Sequence, residues 1–234
     1  MRMSQVGEKY LNSTAIIDSD HASIAEYAAR VIEGSENDPV AMAVKLYLAV
    51  RDGIWYDPYS PFYLPEHYRA SSVLKCGRGF CISKASLLSA LGRACGIPTR
   101  IGFATVRNHL ATRQFIEMLG SNIFVYHAYV DLFLDGKWVK ATPAFNVELC
   151  HKHKVTPLEF NGREDSLFHA YNLDRKQFME YTEFHGTHAD IPVDEIVSAW
   201  EESYGKRRIS KWIQRLESSG GKQGPDFFKE EVVK

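Results

Sequence analysis

The 234-residue sequence is short of several features that would place it in a class at once. It has only four cysteines, Cys76, Cys81, Cys95 and Cys150, and none of them forms a CxxC pair. That argues against a zinc ribbon or a thioredoxin-type motif, and reduced thiols are the expectation. Neither sign of charge is in excess: 28 basic against 29 acidic residues leave −1, so nothing points to nucleic acid or an anionic membrane as partner. No run of 18 apolar residues occurs, so no membrane-spanning helix is expected. The opening MRMSQVGEKYLNSTAIIDSD lacks the apolar stretch of a signal peptide, and the expected location is cytoplasmic. Internal repeats and low-complexity blocks are also missing.

What is present suits a folded domain. Apolar residues make up 45% and charged residues 24%, and a chain of this length buries roughly 70% of its unfolded surface. The reading is one large domain, or a core with an appended piece. Residues 1–20 form a polar lead-in. Asp20 or Ser23 can cap a helix whose apolar positions, Ile24, Tyr27, Ala28, Val31 and Ile32, recur every three or four residues. Asp38 can cap a second helix with Pro39 in its first turn and Ala43, Leu46, Tyr47, Val50 and Ile54 as its stripe. Residues 55–75 are rich in aromatics and proline and read as a long irregular segment. Its Trp55, Tyr56, Tyr59 and Tyr63 are candidate walls of a substrate cleft.

Ala85, Leu88, Leu91 and Cys95 mark the face of a further helix, stopped by Gly96 and Pro98. TRIGFATV (99–106) reads as a strand, and residues 107–121 are ambiguous. Residues 123–134 alternate, with Phe124, Tyr126, Ala128 and Val130 on one face and His127, Tyr129 and Asp131 on the other. Asp135-Gly136 signals a two-residue hairpin, which pairs Leu134 with Lys137 and Asp131 with Lys140. Pro143 ends the return strand. Beyond residue 150 the sequence holds helical stretches (193–204, 207–217) and a glycine-rich break near Ser218–Gly224. The last ten residues are expected to fray.

Cys81 follows Gly77 and Gly79 and opens a helix. A helix N-terminus offers unpaired N–H groups and partial positive charge, which favour a thiolate and can hold an oxyanion. The two glycines let the backbone turn and, at Gly79, let a substrate approach. A cysteine in this position is more often a buried structural residue, so a second group is needed. His127 supplies it: a histidine on the more polar face of a strand, where a core does not require one. A nucleophilic cysteine needs a base, and the base needs an orienting partner. The hairpin register sets Ala144 opposite His127, with Thr142 and Asn146 on its diagonals. Asp131 lies roughly 13 Å along the same strand and cannot orient the ring.

The stretch GRGFCISKASLLSALGRACGIPTRIGFA resembles the nucleophile segment of the transglutaminase-like superfamily. YHAYVDLFLDGKWVKATP resembles its histidine strand and hairpin, and the lead-in ending in RDGIWYD is similar too. The resemblance covers roughly residues 20–146. It implies an α+β, papain-like core in which a nucleophile helix packs on an antiparallel sheet. It implies Cys81 as nucleophile and His127 as base. The family expects an aspartate before the proline of the return strand; this chain has Thr142 there, and Asn146 is the alternative orienter. No cofactor and no metal are implied.

Two functional readings follow. One is a thiol acyl-transfer enzyme, a cysteine peptidase, amidase or transglutaminase-like protein, with hydrolysis as the default and a protein, peptide or small amide as substrate. The other is a binding or scaffold module on the same fold with weakened catalysis. A remoter reading is metal binding through Cys150-His151-Lys152-His153 or through His185, His188 and Asp190, whose spacing fits no closed tetrahedral site. Residues 1–149 read as the catalytic core, and 150–234 as a mainly helical extension or cap.

Overall fold

The computed structural model describes residues 7–218 and 226–232. Helix α1 (Ala22–Ile32) starts at His21, whose ring accepts the Ser23 amide, and it buries Ile24 and Ala28. Helix α2 (Pro39–Gly53) is capped by the Asp38 carboxylate, which accepts the amides of Val40 and Ala41 at 3.0 Å each. Such a cap is worth about 1 kcal/mol. Residues 55–75 are more ordered than the sequence suggests. Strand β1 (Trp55–Tyr56) pairs in parallel with β2 (Arg78–Gly79), and α3 (Ala70–Cys76) lies between them. Phe62 and Tyr68 staple the intervening loop to the core, at 1% and 0% exposure.

Helix α4 (Cys81–Ala94) is the central element. It packs against α1, α2, α3 and the main sheet, so it is buried nearly all round. Small residues make this approach possible. A Cβ on Gly92 would lie 2.7 Å from the Thr99 methyl, and one on Gly79 would lie 2.8 Å from Ser83 Cβ. Gly79 is therefore fixed by helix packing.

The main sheet is antiparallel in the order β5-β4-β3-β6, with β3 (Thr99–Asn108), β4 (Ile123–Leu134), β5 (Lys137–Ala141) and β6 (Met179–His188). The β4–β5 register is the one the turn dictates: Leu134 opposite Lys137 and Asp131 opposite Lys140. Asp135 and Gly136 both have positive φ, 48° and 83°, as a type I′ turn requires. The ladder ends at Ala141, so Ala144 does not pair with His127; the ladder partner of His127 is Ala104 on β3. The ambiguous stretch after β3 contains α5 (Arg113–Leu119), capped by Thr112 and ended by Gly120 in the left-handed region.

The expected simple alternation of β4 breaks just before the histidine. Between the pairs Val106–Phe124 and Ala104–His127, β4 carries one extra residue, and Tyr126 sits at φ 60°. This bulge resets the register of everything upstream. The segment before it is held by helix α7 (Val193–Tyr204): Trp200 donates to the Val125 carbonyl, and the Tyr204 hydroxyl bridges the Val125 amide and Ile123 carbonyl.

After α6 (Val147–Lys152), the C-terminal half supplies α7 and α8 (Lys206–Ser218) where helices are expected. It also supplies β6, an edge strand of the core sheet. The glycine-rich segment 219–224 lies outside the described residues. Residues 226–232 do not fray. They dock on the body of the protein, with Glu230 only 5% exposed.

Candidate active site

Cys81 is the first residue of α4, and its sulfur faces three backbone N–H groups: its own, that of Ile82, and that of Ala128 on β4. All three favour a thiolate. Burial outweighs them and pushes the thiol up to about 11. His127 lines the same cavity as Cys81. The residue is 6% exposed, and burial lowers its pKa to about 4. Both partners are therefore neutral at rest around pH 7. The cavity is narrow, with about 70 Å³ open to the centres of water-sized molecules. Apolar side chains dominate its walls, among them Phe80, Val106, Phe124 and Trp200.

The orienting partner is not where the sequence places it. Neither ring nitrogen of His127 has a hydrogen-bond partner. The Phe168 ring meets the imidazole in a T-shape at 5.2 Å. Thr142 is buried, and its hydroxyl makes no well-formed hydrogen bond; the Tyr181 phenol is its polar neighbour. Asn146 is committed elsewhere. Its carbonyl oxygen accepts the Tyr56 amide at 2.8 Å, and its NH₂ donates to the carbonyls of Arg51 at 2.6 Å and Ile54 at 2.8 Å. Those bonds clamp the α2–β1 junction, and with neither imidazole nitrogen partnered, Asn146 does not hold the His127 ring. Lys84 joins the same clamp, donating to the same two carbonyls, and burial lowers its pKa to about 7. Asp131 pairs with Arg100 at 2.8 Å, well away from the imidazole.

Of the cleft candidates, Tyr56 lines the cavity. Burial first, and then the neighbouring Cys81, keep its phenol protonated. Trp55, Tyr59, Tyr63 and Gly79 do not line it. Trp55 is packed by Phe228, Tyr59 binds Glu230, and Tyr63 packs edge-on against Phe62. Phe168 and Phe227 are site residues the sequence did not mark; each sits in a polar or irregular stretch without periodicity. Among the described residues, no group of three or more histidine, cysteine or acidic side chains is arranged to hold a metal ion.

A family model described as the transglutaminase-like superfamily matches residues 25–143. Among solved structures, the chain is similar to a putative cysteine protease from Cytophaga hutchinsonii, at 16% identity over 76% of this chain, with a TM-score of 0.44. It is also similar to a putative protease from Parabacteroides distasonis, at 15% identity over 59% of this chain, with a TM-score of 0.37. The chain spans 53% of the length of the first and 25% of the second. No curated protein matches.

Proposed function

This chain belongs to the transglutaminase-like superfamily, and from that premise we propose that it is a thiol acyl-transfer enzyme acting on amide bonds through Cys81 and His127. The observation that carries the proposal is the placement of the Cys81 sulfur. It lies among three backbone N–H groups, in a cavity that also contains an unpartnered imidazole.

The pair works from its neutral form. As Cys81 Sγ bonds to the carbonyl carbon, His127 takes the thiol proton and the carbonyl π pair moves to oxygen. The amides at the start of α4 and the Tyr56 phenol are the donors for that oxyanion. Collapse breaks the C–N bond, and His127 returns its proton to the leaving amine. A thioester on Cys81 remains. Water then attacks, with His127 again accepting a proton, and the carboxylic acid leaves as the thiol re-forms. An amine in place of water would give transamidation; hydrolysis is the default outcome of the proposal.

The missing orienter sets the expected rate. Removing the charged orienter of an intact triad costs about 10⁴ in rate. The second reading, a binding module with weakened catalysis, draws its support from the same feature: Phe168, an apolar ring, packs where a polar partner would hold the imidazole.

The pH profile of alkylation at Cys81 tests the pair. With His127 as base, the logarithm of the iodoacetamide rate is expected to be flat between pH 5 and 8. In His127→Ala it should rise by one unit per pH unit. A wild-type profile that already rises with unit slope, unchanged by His127→Ala, would contradict the proposed chemistry.

A further inference from the structure

The aromatic segment after β1 is covered by residues 226–232 of the same chain. Phe227 is itself a wall of the cavity that holds Cys81 and His127. Its ring meets Tyr56 at 5.3 Å and Phe115 at 6.0 Å. Phe228 packs on Trp55 at 5.2 Å, with the Lys152 ammonium 4.7 Å from its ring centroid. Three residues beyond Phe227, the Glu230 carboxylate accepts the Tyr59 hydroxyl at 2.5 Å and the Thr112 hydroxyl at 2.6 Å. The backbone is held as well. The Arg113 amide donates to the Glu231 carbonyl at 3.2 Å, and Thr112 and Val232 form an antiparallel bridge.

Aromatic pockets, backbone pairing and a seat for one charged group together make a mode of peptide recognition by strand addition. The carboxylate seat is specific. A carboxylate taken out of water is costly unless hydrogen-bonded, and here two hydroxyls from separate segments converge on one.

We propose that this groove is a peptide-binding site leading to Cys81, and that residues 226–232 occupy it in cis. The ligand class it fits is an extended peptide with an aromatic side chain and, three residues later, a carboxylate. With residues 226–232 in the groove Cys81 is covered; displacement of the segment uncovers it, and a peptide bound in its place covers it again. That such a peptide is also the substrate rests on the proposed thiol chemistry; the occupancy itself does not.

The experiment measures iodoacetamide labelling of Cys81 in the 234-residue chain, relative to the exposed Cys76 of the same molecule. In the Phe227→Ala/Glu230→Gln double variant the Cys81/Cys76 ratio is expected to rise at least tenfold. A synthetic peptide of residues 226–232 should bring it back towards the wild-type value, whereas the same peptide carrying both substitutions should not. Tyr59→Phe keeps the ring and removes one donor to Glu230, and should raise the ratio severalfold. Unchanged ratios in both variants, or a peptide without effect, would overturn the proposal. If the double variant unfolds, Cys150, buried in the native fold, labels as well, and Tyr59→Phe decides. Labelling that depends on the C-terminus but ignores His127→Ala would keep the groove and remove the enzyme.

Discussion

Burial governs the chemistry of the two central side chains. It raises the Cys81 thiol and lowers the His127 imidazole, so a resting thiolate–imidazolium pair is disfavoured from both sides. The histidine has a consequence for stability. Its pKa falls from 6.5 in the unfolded chain to about 4 in the fold. Between those values the unfolded chain binds the proton and the folded chain does not, so the stability due to the neutral ring is complete above pH 6.5 and drains away towards pH 4. From pH 7 to pH 5 the loss is about 2 kcal/mol, at 1.36 kcal/mol per pKa unit. His153 is lowered in the same direction by its own burial, so the comparison must be with a variant. Urea unfolding at both pH values should show His127→Gln losing about 2 kcal/mol less than the wild type. Equal losses would mean that the ring already titrates near its ordinary value.

At the scale of elements, Cys81 is positioned by close packing at the start of α4. Gly79 of β2 lies against Ser83 at the third position of that helix. Gly79→Ala is expected to destabilise by about 1–3 kcal/mol through overpacking. The clash is with Ser83 Cβ, so Ser83→Gly should relieve it in a double variant and Ser83→Ala should not; thermal melts of the four proteins check this. The β4–β5 hairpin was legible in the sequence because Asp-Gly fixes the turn and Asp131–Lys140 fixes the register. Strand β6 was not, because its Glu180-Tyr181-Thr182-Glu183-Phe184 run is mostly exposed on an edge and carries no clean apolar alternation. The bulge at Tyr126 was hidden for a different reason. A left-handed residue in a strand is usually a glycine, and here a tyrosine takes that conformation, stacking on His185 at 4.8 Å and donating to Glu195.

At the scale of the molecule, the site is assembled from both halves of the chain. Residues up to 149 supply Cys81, His127 and Tyr56. Residues beyond 150 supply the ring on the imidazole (Phe168), the side chains that hold β4 before its bulge (Trp200 and Tyr204), and the segment that closes the groove (Phe227 and Glu230). The first group could be read from the sequence, since a glycine-flanked cysteine opening a helix and a histidine on a polar strand face have local signatures. The second could not, since those side chains meet the site only through tertiary packing. The orienter lies between the two cases: Thr142 and Asn146 follow from an ideal hairpin, and the ladder stops at Ala141 before reaching either. The central claim is that this assembled site performs acyl transfer from Cys81 with His127 as base. Its most direct test is mass-spectrometric trapping of the acyl-enzyme with an activated ester such as p-nitrophenyl acetate, in the wild type and in His127→Ala. The account predicts an acetyl group on Cys81 that forms at least 100-fold more slowly in His127→Ala. Acetylation confined to other residues, or formed on Cys81 at the same rate without the histidine, would contradict it.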